Sequence, residues 1–506
     1  MYDINWLALL PMLLVTVLGL AAMLLSVTFD RHHDRVGYFT IAGLAAMGLY
    51  TTWFWAAHPN ANYTMFNGMV TIDSASLFFY VLFAIIGGVS SLIAIPHLAR
   101  DDEQRGEFYT LLLFSIVGMM VMVSSTDLIT LFLGFETMSL AIYVLTGWRR
   151  HSVISNEAVL KYFFLGSFAA GIFLYGIAMI FGTTGSTNLT ALRDIVVTTN
   201  VLAQPLLMIG ILMVLAAVAF KVAAFPFHMW MPDVYQGAPS PVTAFMATAV
   251  KAAAFGMILR MFTLAFGIEE VGNVLYHVLW GLAIVTMFVG NAFALVQKNI
   301  KRMLAYSSVA HTGYLLVAVA ALPDVDAAAA IMYYLVAYAF TNLGALACVS
   351  FLNRKDEKYV NVDDFAGAAW KHPLVGLGMA VCMFSLIGFP PTAGFFAKYY
   401  LFVAAFKAGM APLVVVAIIN SILSVYYYLR VVAVMYMKPE SVADDGVKLP
   451  GPTKLAIVYA SVAVIWAGIG PLNLTGLLPG AGPLLDSAKA SARALLTPGG
   501  VPSAMR

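Results

Sequence analysis

Apolar residues in this chain come in runs of about twenty, divided by short polar or Pro/Gly-marked stretches. A helix of about 20 apolar residues spans a bilayer, and the alternating segments of a membrane β-barrel do not occur. The pattern therefore predicts an all-α polytopic membrane protein. Its spans, about fourteen, fall near 5–27, 37–57, 74–97, 108–124, 127–147, 157–181, 203–229, 242–264, 274–296, 301–321, 327–352, 373–406, 411–436 and 454–476. The first run lacks a basic leading region and exceeds the apolar segment of a signal peptide, so it reads as a retained span.

Two runs are interrupted. In the seventh, FKVAAFPFHMWMPDVYQGAPSP, Pro226 lacks the amide that would bond the Val222 carbonyl, and Pro232 and Gly237 prevent a regular continuation. In the twelfth, FSLIGFPPTAGFFAKYYLF, Gly388, Pro390 and Pro391 free the carbonyls of Leu386 and Ile387. Irregular backbone at membrane depth is tolerated only where protein or a water-filled cavity surrounds it, and a matched pair of interrupted spans points to a transport site. The breaks lie five spans apart, and each has a Phe-Pro pair and a lysine within about two turns. Units with an odd number of spans insert in opposite orientations, so spans four to eight and nine to thirteen are expected to form two inverted five-helix repeats. The expected division is 1–107 as a three-helix segment, 108–265 as the first repeat with broken helix 7, 270–436 as the second with broken helix 12, and 437–506 as a C-terminal helix and tail.

Charge sharpens this picture. The chain is 62% apolar and 10% charged, against about 25% charged in soluble domains, which excludes a water-soluble enzyme. Loops after odd-numbered spans hold sixteen Lys and Arg, among them Arg31, Arg149 and Lys301; loops after even-numbered spans hold two, Arg193 and Lys407, and the tail adds three. By the positive-inside rule the first set is expected in the cytoplasm and both termini on the outer side. Cys348 and Cys382 lie inside apolar runs with no CxxC or His-rich surroundings and read as packing residues, without a metal site or disulfide. Walker A, GxGxxG, HExxH and haem or iron–sulfur patterns do not occur. No cofactor is expected in this chain, so energy would come from an ion gradient or from partner subunits.

Six basic residues remain inside the runs: Lys161, Lys221, Lys251, Arg260, Lys398 and Arg430. Glu136 is the one acid well inside a run, while Asp73 and Asp127 mark span starts. An ionisable group at the bilayer centre costs at least ~2.5–3.5 kcal/mol on insertion scales. Arg260 and Arg430, near span ends, read as snorkelling groups or structural ion pairs, and Lys161 fits that reading and a functional one equally. Glu136 lies about 14 Å deep at 1.5 Å per residue, Lys251 is as deep, and Lys221 and Lys398 flank the breaks, so these four are the candidate functional charges. A carboxylate moving toward or away from a buried lysine switches whether that lysine keeps its proton, and a row of such lysines passes protons laterally through ordered water. His228 and His311, of a residue type that titrates near neutrality, either bridge gaps in such a row or serve as hydrogen-bonded packing residues. An ammonium cannot ligate sodium, so a lysine-dominated midplane favours protons as the cargo.

Five segments carry a resemblance: LFLGFETMSLAIYVLTGW (131–148), SNEAVLKYFFLGS (155–167), FKVAAFPFHMWMPDVYQGAPSPVTAFMATAVKAA (220–253), NIKRMLAYSSVAHTGYLL (299–316) and FSLIGFPPTAGFFAKYYLF (384–402). Together they resemble subunit N of bacterial respiratory complex I (NADH:quinone oxidoreductase), one of its three antiporter-like membrane subunits. The lysine in the second broken helix and the EAxLKYF-type segment fit subunit N better than its sister M, which carries a glutamate there, and the long lateral helix expected of subunit L is missing. The resemblance implies a fourteen-helix antiporter-like fold in a bacterial inner membrane. It implies that Glu136 and Lys221 form the pumping pair, with Lys161 a possible partner of Glu136, and that Lys251, His311 and Lys398 continue the relay. NADH, flavin, iron–sulfur clusters and quinone would be handled by other subunits, with sister antiporter-like subunits as neighbours. The competing expectation is a subunit of a multisubunit cation/proton antiporter, against which the carboxylate-poor midplane counts.

Overall fold

The structure, a computed structural model, describes residues 4–28, 33–59, 61–198, 204–267, 269–439, 447–469 and 482–496. Arg31, Arg506, position 203 and the predicted span end 470–476 lie outside them. Each predicted span has a helical counterpart. The chain opens with α1 (Trp6–Thr28), α2 (His33–Ala57), a hairpin of β1 (Asn62–Met65) and β2 (Val70–Asp73), then α3 (Ser74–Arg100). Next come α4 (Glu107–Ser124), α5 (Leu128–Thr146), α6 (Val153–Thr184) and the short α7 (Leu189–Thr198). The seventh span is α8 (Pro205–Val222) and α9 (Met231–Gly237); the eighth is α10 (Ser240–Phe245) and α11 (Lys251–Met261), joined by the π-turn Met246–Val250 and ended by a second one, Phe262–Phe266. Then follow α12 (Glu269–Val296), α13 (Ile300–Val319), α14 (Val325–Leu352), the short α15 (Ala368–Lys371), α16 (Pro373–Ile387) and α17 (Ala393–Lys407) as the twelfth span, α18 (Ala411–Met437), α19 (Gly451–Ile469) and α20 (Gly482–Leu496).

Among the described residues, eleven helical segments are long and apolar enough to cross a membrane on their own. Two of the three exceptions, the twelfth span and α13, are instructive; the third is α2. The twelfth span is cut by its break into two short helices, and α13 carries Lys301, Arg302, Ser307, Ser308, His311 and Thr312 on one element. Polar residues are tolerated there because α13 sits inside the bundle, where its Ser307, Ser308, His311 and Thr312 are buried. The segment Ser240–Phe266 is likewise wholly enclosed and α14 is buried from Ala327 onward, whereas α1, α6, α12, α18 and α19 leave much of their surface facing outward.

The two five-span units repeat their backbone devices. Asp127 caps α5 by accepting from the amides of Ile129 (2.9 Å) and Thr130 (3.2 Å), and Asn299 caps α13 by accepting from those of Lys301 (2.9 Å) and Arg302 (3.1 Å). Each cap also bridges to the loop after the following span, Asp127 to Asn188 and Asn299 to Asn361. The matching bonds run from Leu128 N to Thr187 O and from Ile300 N to Val360 O, both 2.9 Å. Because α5 is the fifth crossing and α13 the tenth, these matching devices lie at opposite ends of the bundle, as inversion requires. Backbones approach closely at the same place in each unit: a Cβ on Gly118 would lie 2.4 Å from Met138 N, and one on Gly290 2.4 Å from Ala310 N.

The expected span limits shift at several points. The sixth span extends to Val153–Thr184. The hairpin, α7, the π-turns and α20 were not expected from apolar periodicity, since each is short or interrupts a regular helix.

Candidate functional site

The break in the seventh span follows Val222, where Ala223 takes a left-handed conformation (φ 57°) and ends α8. The Val222 carbonyl, expected to be free, accepts from Thr312 Oγ1 of α13 at 2.6 Å, and Phe225 N donates to Thr286 Oγ1 of α12 at 3.0 Å. The broken helix of the first unit is thus held by helices of the second.

Lys221 occupies the last turn of α8 and is 2% exposed. Its Nζ donates to Ser139 Oγ of α5 (2.8 Å) and Tyr162 Oη of α6 (3.3 Å), and lies 4.8 Å from the centre of the Phe135 ring. Among the described residues no carboxylate is within ion-pair distance of this ammonium. Glu136, one turn before Ser139 on α5, is half-buried, and its Oε1 has no hydrogen-bond partner. Ser139 therefore stands beside both groups of the expected pumping pair, which interact electrostatically without touching.

Lys251 follows the π-turn of the eighth span. A π-turn adds a residue to the helix and re-aims the side chains after it; the Lys251 Nζ donates to both Oγ and the carbonyl of Ser308 on α13, each at 2.6 Å, and lies over Tyr338 at 4.9 Å. Ser308 O also accepts from Thr312 Oγ1 (3.2 Å), the hydroxyl that reaches Val222 beside Lys221. His311, one turn on from Ser308, bonds Tyr334 Oη through Nδ1 and Tyr428 Oη through Nε2 (3.1 Å), and its ring packs against Tyr338 and Tyr314. Tyr428 also bonds Ser307.

Lys398 closes the series. The freed carbonyls of Leu386 and Ile387 accept from its Nζ, each at 2.9 Å, and Ser421 Oγ of α18 accepts at 2.8 Å. The ammonium lies 5.1 Å from the Tyr314 ring centre. Tyr314 therefore touches both His311 and Lys398, as Tyr338 touches both His311 and Lys251. Four of the expected residues, Lys221, Lys251, His311 and Lys398, thus form one line connected by Ser, Thr and Tyr side chains, with Glu136 at its first end.

Two expected residues stand apart. Lys161 does not partner Glu136: it pairs with Glu157 and Asp233, both at 2.6 Å, and Asp233 in turn pairs with Arg302 at 2.6 Å. The geometry of α6 turns Lys161 to a partly open rim while its neighbour Tyr162 turns inward to Lys221. His228 lies in the first break against Phe225, and among the described residues no hydrogen bond joins it to the lysine line. Arg260 is a buried structural ion pair, bonded to Asp73 by two 2.6 Å contacts and to Val123 O at 2.7 Å. Arg430 reaches Gln297 O and Asp363 at its helix end.

Sequence reasoning missed a second charge cluster. Glu357, in the loop after α14, pairs with Lys301 (2.8 Å) and Arg149 (3.0 Å) and accepts from Ser240 N (2.8 Å) at the start of α10. Burial pushes its carboxyl up, but Lys301, Arg149 and His97 outweigh this and hold it well below the usual carboxylate range. Its partners come from four separate segments, so no local pattern announces it.

Comparison with known proteins agrees with this architecture. The family model described as "NADH:quinone oxidoreductase/Mrp antiporter, TM" matches residues 125–424. NADH-quinone oxidoreductase subunit N of Trichlorobacter lovleyi is 41% identical over 471 residues, covering 92% of this chain and 95% of the relative; subunit N 1 of Solibacter usitatus is 42% identical, covering 91% and 94%. A chain of respiratory complex I from Thermus thermophilus matches with TM-score 0.79 and 34% identity, over 95% of this chain and 99% of that one. A chain of the Mrp complex from Dietzia shares the fold at TM-score 0.84 and 20% identity, over 98% of each. With two-repeat architecture, broken spans and near-full-length identity in agreement, the chain belongs to the family of NADH-quinone oxidoreductase subunit N.

Proposed function

We propose that this chain is the antiporter-like, proton-translocating membrane subunit of an NADH:quinone oxidoreductase, and that protons move along Glu136, Lys221, Lys251, His311 and Lys398. The observation that carries the reading is the line of three buried lysines between two helix breaks, each ammonium held by hydroxyls or carbonyls. A lysine locked to a carboxylate keeps its proton; one held by neutral groups can release it when a nearby charge moves. Glu136, with an unpartnered oxygen, is the mobile charge in this account. Its approach to Lys221 holds a proton there, and its withdrawal sends the proton toward Lys251 through water and the Thr312–Ser308 pair. His311 and its tyrosines carry it on to Lys398.

In the same reading residues 108–265 and 270–436 act as the two inverted units, with 1–107 as an N-terminal segment and 437–506 as a C-terminal one. The basic-rich loops face the cytoplasm of a bacterial cell, and both termini face the periplasm. Lys161 and His228 act at the margins, Lys161 as part of a charged rim with Asp233. The redox cofactors and quinone belong to partner subunits of the complex, whose chemistry supplies the energy. Likeness to the Mrp chain keeps one alternative, a subunit of a cation/proton antiporter. That reading requires a site for a metal cation, and ammonium groups at the midplane repel one.

Lys221→Ala and Glu136→Ala test the assignment in the assembled enzyme. Both are expected to depress coupled quinone reduction and proton pumping together. Full assembly with normal pumping in either variant contradicts the proposed path, and cation-dependent proton exchange by liposomes lacking the dehydrogenase supports the antiporter alternative.

A further inference from the structure

A cavity of about 300 Å³ opens where the C-terminal ends of α3 and α14 meet the start of α19. Its wall is cationic on one side, where Arg100, Arg354 and Lys355 stand beside Phe351 and Pro450. Arg100 is neutralised by Asp101 (2.7 Å) and Lys355 by Asp102 (2.6 Å). Arg354 differs. Its guanidinium lies over Phe351 at 5.2 Å, its buried Nη1 has no hydrogen-bond partner, and no carboxylate pairs with it among the described residues. A guanidinium at the edge of a cavity matches the geometry of a phosphate.

A second cavity, of about 390 Å³, lies in the opposite half of the bundle along the same three helices. It is almost wholly apolar, lined by Trp55, Phe78, Phe340, Tyr459, Ala463 and Trp466 among others. Helix α3 connects the two. Between Ser74 and Leu98 its partly exposed residues are Val81, Ile85, Gly88, Leu92 and Pro96, and the rest are buried. Spacings of three and four place them in one stripe, and a Cβ on Gly88 would meet nothing within 4 Å. Val81 and Ile85 line the apolar cavity and Pro96 the cationic one. From Ile85 to His97 the helix rises about 18 Å, comparable with the ~15 Å of half a hydrocarbon core.

We propose that this groove binds one anionic phospholipid, with its phosphate against Arg354 and an acyl chain lying along the α3 stripe into the aromatic cavity. The charge at one end selects the headgroup, and the apolar length selects a lipid over free phosphate. The site is separate from the lysine line and does not depend on its role.

The test uses the assembled complex in nanodiscs of phosphatidylethanolamine with a minor share of phosphatidylglycerol, followed by native mass spectrometry of lipid retained on this chain. Arg354→Gln is expected to lower retained phosphatidylglycerol about fivefold, the effect of one basic residue at an anionic headgroup. Arg354→Lys is expected to keep it, and Ala463→Phe, which fills the aromatic cavity, to lower it without changing phosphatidylethanolamine. Wild-type retention in Arg354→Gln overturns the site. So does displacement of the lipid by inorganic phosphate with no effect of Ala463→Phe, which would leave a phosphate site only, and so does absence of any retained phospholipid, which would make the groove a contact for a neighbouring subunit.

Discussion

Replacing Lys398 with methionine separates two jobs that the structure gives this side chain. Its ammonium is a step in the proposed proton path, and it also satisfies the carbonyls of Leu386 and Ile387 at the twelfth-span break. Methionine matches the length and the burial but donates nothing. A buried acceptor left unsatisfied costs about 1–3 kcal/mol, so two of them cost about 2–6 kcal/mol. Removing a buried charge returns several kcal/mol of desolvation, which here is already largely offset by three hydrogen bonds and the Tyr314 ring. The net loss expected is about 1–3 kcal/mol. Lys221 gives the control, because its partners Ser139 and Tyr162 are hydroxyls that rotate to other acceptors. Both Lys398→Met and Lys221→Met should stop pumping, but only Lys398→Met should lower the temperature at which the chain dissociates from the purified complex, read by native gel after a heat ramp. Equal heat resistance of the two variants refutes the claim that Lys398 caps the break.

Other sites predict different outcomes. Asp73→Asn strands the Arg260 guanidinium inside the bundle and should destabilise by about 3–5 kcal/mol, seen as loss of assembled complex, with Asp73→Asn/Arg260→Gln recovering part of it; no loss in the single variant contradicts the structural role. Glu357 has a carboxyl held below its unfolded value, so its contribution is fully present above about pH 4.3 and disappears as pH falls through the lower folded value. Hydrogen exchange in the loop around residues 355–357 should therefore stay protected down to unusually acid pH and rise below it, whereas Glu357→Gln should be unprotected throughout; matching pH profiles would remove Glu357 from that role.

Much of this was legible in the residues because membrane insertion punishes error. Pro390 and Pro391 inside an apolar run announce freed carbonyls, and a lysine eight residues on is the donor that a membrane interior otherwise lacks. Asp73 and Asp127 at span starts read as boundaries and prove to be helix caps. What stayed hidden has physical reasons. Ser139, Ser308 and Tyr428 bond the lysines and histidine of the proposed relay, yet serine and tyrosine are common in spans and carry no insertion cost that marks them. Lys161 and Tyr162 are adjacent in sequence, and only the rotation of α6 decides which faces Lys221. The π-turn before Lys251 leaves the apolar pattern unbroken while changing where the lysine points. Lys301 counted as a loop charge, but Glu357 from a distant segment draws it into a buried cluster.

The central claim, lateral passage of protons through the middle of the chain, is tested most directly by the ratio of protons pumped to electrons transferred in proteoliposomes carrying the assembled enzyme with Lys251→Ala. The ammonium of Lys251, on a helix of the first unit, bonds Ser308 of the second at 2.6 Å. The account predicts that NADH oxidation persists at a reduced rate while the proton-to-electron ratio falls below that of the unaltered enzyme. An unchanged ratio in a fully assembled Lys251→Ala enzyme would contradict it.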